Sequence, residues 1–299
     1  MSDAPIEVLH VGCASRDLTG DDPRGWRLGG GVTYAALTTA RLGLRTAAIV
    51  GADAMAASAG ELDLLRDAGV RLLTVGLAES PVFRNVETAS GRIQTCLAPG
   101  QPLPPVDLPP EWTAATAWSL VPVAGEVGED WAPVIPTGAI VSIGWQGWLR
   151  ELHAGRTVEH RTPASSALLR RADLVGVSHH DVRPETRSAD LRALLRADAC
   201  LVLTDGERGG QLLRSGPDGA ENWPYAAIAP DLELDPTGAG DVFLGALLAS
   251  LVEPSLAPRR DAGLGPDLAL AAAAASLVIE RAGLLGVPDL AAVRKRLER

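Results

Sequence analysis

The chain has 299 residues, 46% of them hydrophobic and 21% charged, with a formal net charge of −10. That composition describes one large globular unit, residues 1–299, able to bury a substantial core, and it excludes disordered and fibrous classes. The acidic balance argues against nucleic acid or an anionic membrane as a partner, so an anionic ligand has to be met locally, by backbone N–H groups, a few arginines or a metal ion.

Cys13, Cys96 and Cys200 are far apart and encode neither a disulfide framework nor a Cys-x-x-Cys metal site, which suits an intracellular setting. The start, MSDAPIEVLHVG, lacks the basic and apolar regions of a signal peptide. The longest uninterrupted apolar run, LALAAAAA (268–275), falls well short of a membrane span. A soluble, cytoplasmic protein is expected. Lys295 is the only lysine. P-loop ATPases and protein kinases are thereby excluded, because each sets a lysine ammonium on the phosphates. Schiff-base chemistry is disfavoured on the same ground.

In chain order, IEVLHVG (6–12) reads as a strand, GVTYAALTTARLG (31–43) as a helix and RTAAIVG (45–51) as the next strand. ELDLLRDAGV (61–70) is helical and ends on Gly69. PVFRNVETASGRIQTCLAPG (81–100) alternates polar and apolar residues around Ala-Ser-Gly, the pattern of a hairpin standing off the main sheet. It reads either as part of a small β lid built from 13–28 and 81–98 or as a plain surface hairpin. Strands follow at AWSLVPV (117–123), AIVSIGW (139–145), DLVGVS (173–178) and CLVLTDG (200–206). Helices are expected at SSALLRRAD, at SADLRALLRAD, from Ala239 onward and over 267–283. Continuous Val/Ile/Leu runs of strand length mark strands buried on both faces. The alternation predicts an α/β fold, a doubly wound, mostly parallel sheet flanked by helices, with ligands at the carboxyl ends of its strands.

The stretch LDPTGAGDVFLGALLASL (234–251) sets two acids, Asp235 and Asp241, around a Gly-Ala-Gly turn ahead of an apolar helix. Aspartate is common in a first helical turn and glycine is common in turns, so the stretch alone admits a purely structural explanation. Bare N–H groups at a helix start also hold anions, and a neighbouring carboxylate can take a proton.

DPTGAGD (235–241) followed by VFLGALLA closely resembles the carboxyl-terminal signature of the ribokinase-like (PfkB) family of small-molecule kinases. In the same order as in that family, VGCASRDL (11–18) resembles the first strand and substrate-binding acid, and LGGGVTYAALTTARLGLRTAAIVGAD (28–53) the glycine-glycine motif and the Gly-x-Asp after the next strand. VLTDGERGG (202–210) resembles the nucleotide-side strand and loop, and AAAAASLVIERAG (271–283) the helix walling the adenine pocket.

The resemblance implies an ATP- and Mg2+-dependent kinase acting on a small polyol: a sugar, cyclitol or nucleoside. Backbone N–H groups of Gly238, Ala239 and Gly240 would bind the phosphoryl group, and Asp241 would take the proton of the attacking hydroxyl. At a helix N-terminus Asp241 should have a lowered pKa, a weak base kept ionised. Asp17, Gly29, Gly30 and Tyr34 would meet the substrate. Ser178, Thr204, Gly206, Gly209 and Ala274 would line the nucleotide. Asp235 and Thr237 match positions that bind a monovalent cation such as K+ in some relatives, with turn capping as the other explanation. Asp53 matches a substrate-side position and equally a helix N-cap, and Arg92 in the hairpin is within reach of a phosphate or merely solvated. Relatives often pair through their lids, which makes a homodimer the expectation.

Three positions depart from the family. Tyr34 stands where the sugar-gripping asparagine is usual, so the substrate is not expected to be held as ribose or fructose is. The family's Asn-x-x-Glu appears as Ser178-His179-His180-Asp181, which keeps oxygen ligands for magnesium at Ser178 and Asp181 with shorter reach. The two histidines, adjacent on an extended chain, should point opposite ways. Gly144 stands where many sugar kinases have an aspartate, beside Trp145 and Trp148, which read as cleft walls or as core. A regulator that binds nucleotide or sugar without catalysis is the alternative. A nicotinamide-dependent dehydrogenase is disfavoured, because no Gly-x-Gly-x-x-Gly follows the first strand.

Overall fold

The computed structural model describes residues 5–88, 91–216, 219–256 and 267–299. Its strands are β1 Val8–Cys13, β2 Ser15–Leu18, β3 Trp26–Gly29, β4 Thr46–Ala52, β5 Arg71–Gly76, β6 Val82–Thr88, β7 Gly91–Ala98, β8 Ala117–Leu120, β9 Ile140–Gly144, β10 Arg150–Glu151, β11 Arg156–Thr157, β12 Glu159–His160, β13 Leu174–Ser178, β14 Cys200–Thr204, β15 Gly210–Gly216 and β16 Gly219–Tyr225. The helices are α1 Gly31–Arg41, α2 Ala54–Ala57, α3 Glu61–Asp67, α4 Pro110–Thr113, α5 Ala167–Arg171, α6 Ser188–Arg192, α7 Ala239–Val252, α8 Leu268–Val278 and α9 Leu290–Leu297.

A nine-stranded sheet runs β16-β15-β14-β13-β9-β8-β1-β4-β5, parallel from β14 to β5, with β15 and β16 added antiparallel at one edge. Every residue of β1 and β4 is buried, as mostly apolar strands covered on both faces are, and the one ring among them, His10, bonds the Thr39 hydroxyl at 2.9 Å. One face packs against α1, α3, α7, α8 and α9; Trp112, Trp131, Trp145 and the leucines of α5 fill the other. From β1 the chain moves to β4 and β5 on one side and later to β8 and β9 on the other, so the order reverses at β1. Open α/β sheets bind ligands at the carboxyl side of such a point.

A second, five-stranded sheet, β11-β7-β6-β2-β3, is built from segments leaving that side. The turn expected at residues 89–90 and the Arg92 side chain lie outside the described residues. Several elements escaped the sequence reading, among them β5, β15 and β16. β5 is an edge strand, half-buried along most of its length, and lacks the uninterrupted apolar run of the inner strands. β15 and β16 pair along glycine- and proline-bearing stretches whose strand character comes from register rather than composition. The expected strand 117–123 ends at Leu120, just before Pro122, which has no N–H for a ladder.

Candidate active site

α7 begins with Gly238 as its N-cap, at φ 82° in the left-handed region. A side chain there would be strained and would also run into the Tyr34 ring. Among the described hydrogen bonds the N–H groups of Gly238 and Gly240 have no partner, whereas that of Ala239 donates to the Pro236 carbonyl at 3.3 Å. Nothing stands within 4 Å of a Cβ built on Gly240, so the turn faces open space there. Unpaired amides at the start of a 14-residue helix, looking into space, are what an anion needs.

Asp241, in the first turn of α7, departs from the expected electrostatics. Burial pushes its carboxyl up to about 7; Arg150 opposes that shift, and the nearby charges of Asp181 and Asp17 reinforce it. Desolvation and like charge outweigh the helix terminus. The carboxylate also faces the start of α1, where a Cβ on Gly31 would lie 2.6 Å from Asp241 Oδ1 and 3.1 Å from the Val121 carbonyl oxygen. Gly31 is therefore required for Asp241 to sit where it does, a role hidden in the glycine run 29–31.

Arg150 was missed by sequence reasoning. It starts β10, donates to the Val123 carbonyl at 2.9 Å and stacks 5.4 Å above the Phe83 ring of β6. Its charge is felt by Asp181, Asp17, Asp241 and Glu126, while burial draws its pKa down. The loop it grips is set by Glu126, whose buried carboxylate accepts from the backbone of Cys13 (2.8 Å), Val123 (3.1 Å) and Ala124 (2.8 Å). The available signal was an arginine just past a strand's carboxyl end in a chain with one lysine.

On the presumed acceptor side, Asp17 on β2 sits opposite Arg27 of β3 and Phe83 of β6, packed against Gly29 with the Ser15 hydroxyl 3.5 Å away. Gly30, at φ 102°, caps α1. Tyr34 is only 2% exposed, its ring under Gly238 and its hydroxyl close to Gly283. It supports the turn from behind instead of presenting a ring to a ligand. Asp53 is the N-cap of α2, accepts from Ala56 and Ser80 N–H groups and pairs with Arg16 at 2.9 Å, so capping accounts for it. Trp145 is core, and Trp148 donates to the Val127 carbonyl from a half-buried position.

On the presumed donor side, the ends of β13 and β14 bring Ser178, Asp181, Thr204 and Gly206 to the same edge as the glycine turn. Gly209, at φ 86°, closes the turn after β14 by accepting from Asp205 N–H at 2.8 Å. Ala274 is wholly buried in α8 and has no surface for a base, a correction to its expected role; past the first turn of that helix Ala275 and Leu277 are the partly open residues. One residue is about 100° of helix, so motif matching alone readily picks the wrong face. His179 and His180 are exposed.

The two expected cations fare differently. Asp181 forms a reciprocal cap with Ser178, accepting its N–H at 3.1 Å, and also accepts from Gln146 at 2.9 Å. Each carboxylate oxygen accepts one of these bonds and keeps a further lone pair, which fits Mg2+ held by that carboxylate. Asp235 does not fit a monovalent cation. Its Oδ1 accepts from Thr237 N–H (3.0 Å), and its Oδ2 accepts from Gly283 N–H (3.1 Å) and faces Arg27 Nη1 at 3.6 Å. The Thr237 N–H thus closes an Asx-type turn on Asp235.

Residues 158–289 match the model of the pfkB family carbohydrate kinases. A ribokinase-family pyrophosphate-dependent kinase, solved with a pyrophosphate analog and myo-inositol, is 19% identical with a TM-score of 0.68 over 97% of this chain and 99% of that one. Arabidopsis thaliana ribokinase, solved with ribose and ATP, is 18% identical with a TM-score of 0.69 over 99% and 100%. Giardia lamblia ribokinase is 15% identical with a TM-score of 0.71 over 99% of each. No curated protein sequence matches. The fold is thus that of ribokinase along almost the whole chain. Residues 158–289 carry the pfkB family's sequence within that fold.

Proposed function

We propose that the chain is an ATP-dependent kinase of a small polyol, a sugar, cyclitol or nucleoside, working by direct in-line transfer. The observation that carries this is Asp241: a carboxyl with a proton affinity near neutrality, set beside the unpaired Gly240 amide. A hydroxyl held by Asp17 against Gly29 and Gly30 gives its proton to Asp241 as it attacks phosphorus. Amides of the 238–240 turn and the Arg150 guanidinium stabilise charge on the transferring oxygens, doing what a lysine does elsewhere. Arg150, tied to Phe83, also links this charge to the second sheet, which serves as a lid over the acceptor. Asp181 would hold Mg2+, which when bound would neutralise charge on the donor phosphates.

ATP as donor is supported by the plant ribokinase solved with ATP; the pyrophosphate-dependent relative makes pyrophosphate the control donor. No described helix is long and apolar enough to cross a membrane. Paired, exposed Val86 and Ile93 on the lid suit a homodimer through that sheet, which light scattering tests. The central experiment is an acceptor panel of sugars, cyclitols and nucleosides with ATP or pyrophosphate, read by phosphorylated product. ATP-driven phosphorylation of one class supports the proposal. Binding of ATP and a polyol without turnover of any acceptor establishes the regulator instead.

A further inference from the structure

Asp235 closes the back of the glycine turn, and the charge facing it comes from the chain itself. Arg27, on β3, reaches across to Asp235 at 3.6 Å with both side chains mostly shielded from water. In the β2–β3 ladder Arg27 stands directly opposite Asp17. Its Cδ and the Tyr34 hydroxyl both lie 3.8 Å from a Cβ position built on Gly283, whose N–H donates to the same Asp235 oxygen. Tyr34 in turn lies under Gly238. A cation bound at this oxygen would meet a guanidinium already in place, and like charges at such separations repel strongly where screening is poor.

We propose that Arg27 is a tethered replacement for the monovalent cation, so that turnover needs no K+. Arg27 acts here as a positioning residue: it holds Asp235, which holds Thr237 and Gly283 around the turn that carries the anion-binding amides. The proposal rests in part on the kinase reading, through the turnover arm of its test. It implies that the positive charge arrives with β3, the strand paired to the acceptor-binding β2, so lid and turn are joined by one ion pair. An exchangeable ion makes no such connection.

Thermal melts of the full chain test this without substrate, at constant ionic strength, with choline chloride exchanged for KCl. The parent Tm is expected to stay within about 1 °C. Arg27→Ala should fall by roughly 2–4 °C in choline and regain most of that in KCl, through K+ bound only by the folded state. Arg27→Ala with Asp235→Asn should gain nothing from K+. Arg27→Gln is run alongside, so that misfolding of the alanine variant does not decide the matter. Where turnover is measurable, the parent rate agrees within twofold in the two salts, and the Arg27 variants lose at least about fivefold in choline and recover in KCl. A parent whose Tm or rate rises with K+ as the variants' do overturns the proposal, and so do folded Arg27 variants indifferent to K+. The melt pattern without turnover in any salt would sink the kinase reading while leaving the tethered cation standing.

Discussion

Two aspartates at helix starts, Asp53 and Asp241, meet opposite fates. Asp53 caps the short α2; burial works to raise its pKa, but hydrogen bonds from Ala56 and Ser80 and the charge of Arg16 outweigh it and draw the pKa down. Asp241, one turn into α7, is also buried, yet Asp17 and Asp181 crowd it and Arg150 only partly compensates, so its pKa rises to about 7. A satisfied carboxylate stabilises a loop; one left costly to ionise near neutral pH is a base. The lesson is that position on a helix does not set the role; the surrounding charges and donors do.

The comparison breaks first at Asp241. Asp241→Asn should lower kcat/KM by about 10²–10⁴-fold with nucleotide binding retained, and the parent's kcat/KM should fall tenfold per unit below about pH 7, where the base is protonated. A flat profile between pH 5 and 8 would remove Asp241 from the proton transfer. Arg150→Ala should cost about 10²–10³-fold, comparable to losing an oxyanion donor, mostly in kcat, with Arg150→Lys recovering part of the rate and free guanidinium part of the alanine variant's. Gly31→Ala should cost roughly 10²-fold by displacing the Asp241 carboxylate while the melt barely changes.

The smallest effects are on stability and carry opposite signs. Asp241 has a folded pKa raised above 3.8, so ionising it destabilises the fold increasingly from about pH 4 to pH 7 and fully above that. Asp241→Asn should therefore melt above the parent at pH 8, with the gap closing toward pH 4. Asp53→Ala should melt lower near neutral pH by the loss of a cap, about 1 kcal/mol or 2–4 °C, a loss that vanishes as acid protonates the parent's Asp53. Equal shifts in both variants would show that the two carboxyls do not differ as described.

Much of the fold was legible because the inner strands β1, β4, β13 and β14 are covered on both faces and so carry mostly apolar residues. β5 and the β15–β16 pair were not, since edge strands take their form from a partner rather than from their own pattern. The glycine turn was legible because it needs Gly238 for its left-handed backbone. Arg150 and Glu126 were not: each acts on a group far away in sequence, and nothing adjacent to them marks that contact.

The sequence by itself determined the alternation of layers, the turn before α7 and the absence of a lysine for phosphate, because these follow from local backbone needs and from composition. Only the tertiary structure decided that burial raises the Asp241 carboxyl to about 7, that Ala274 is core and that Arg27 faces Asp235. The physical reason is that charge, desolvation and helix facing depend on which distant residues arrive within a few ångströms, and a linear pattern does not state those distances.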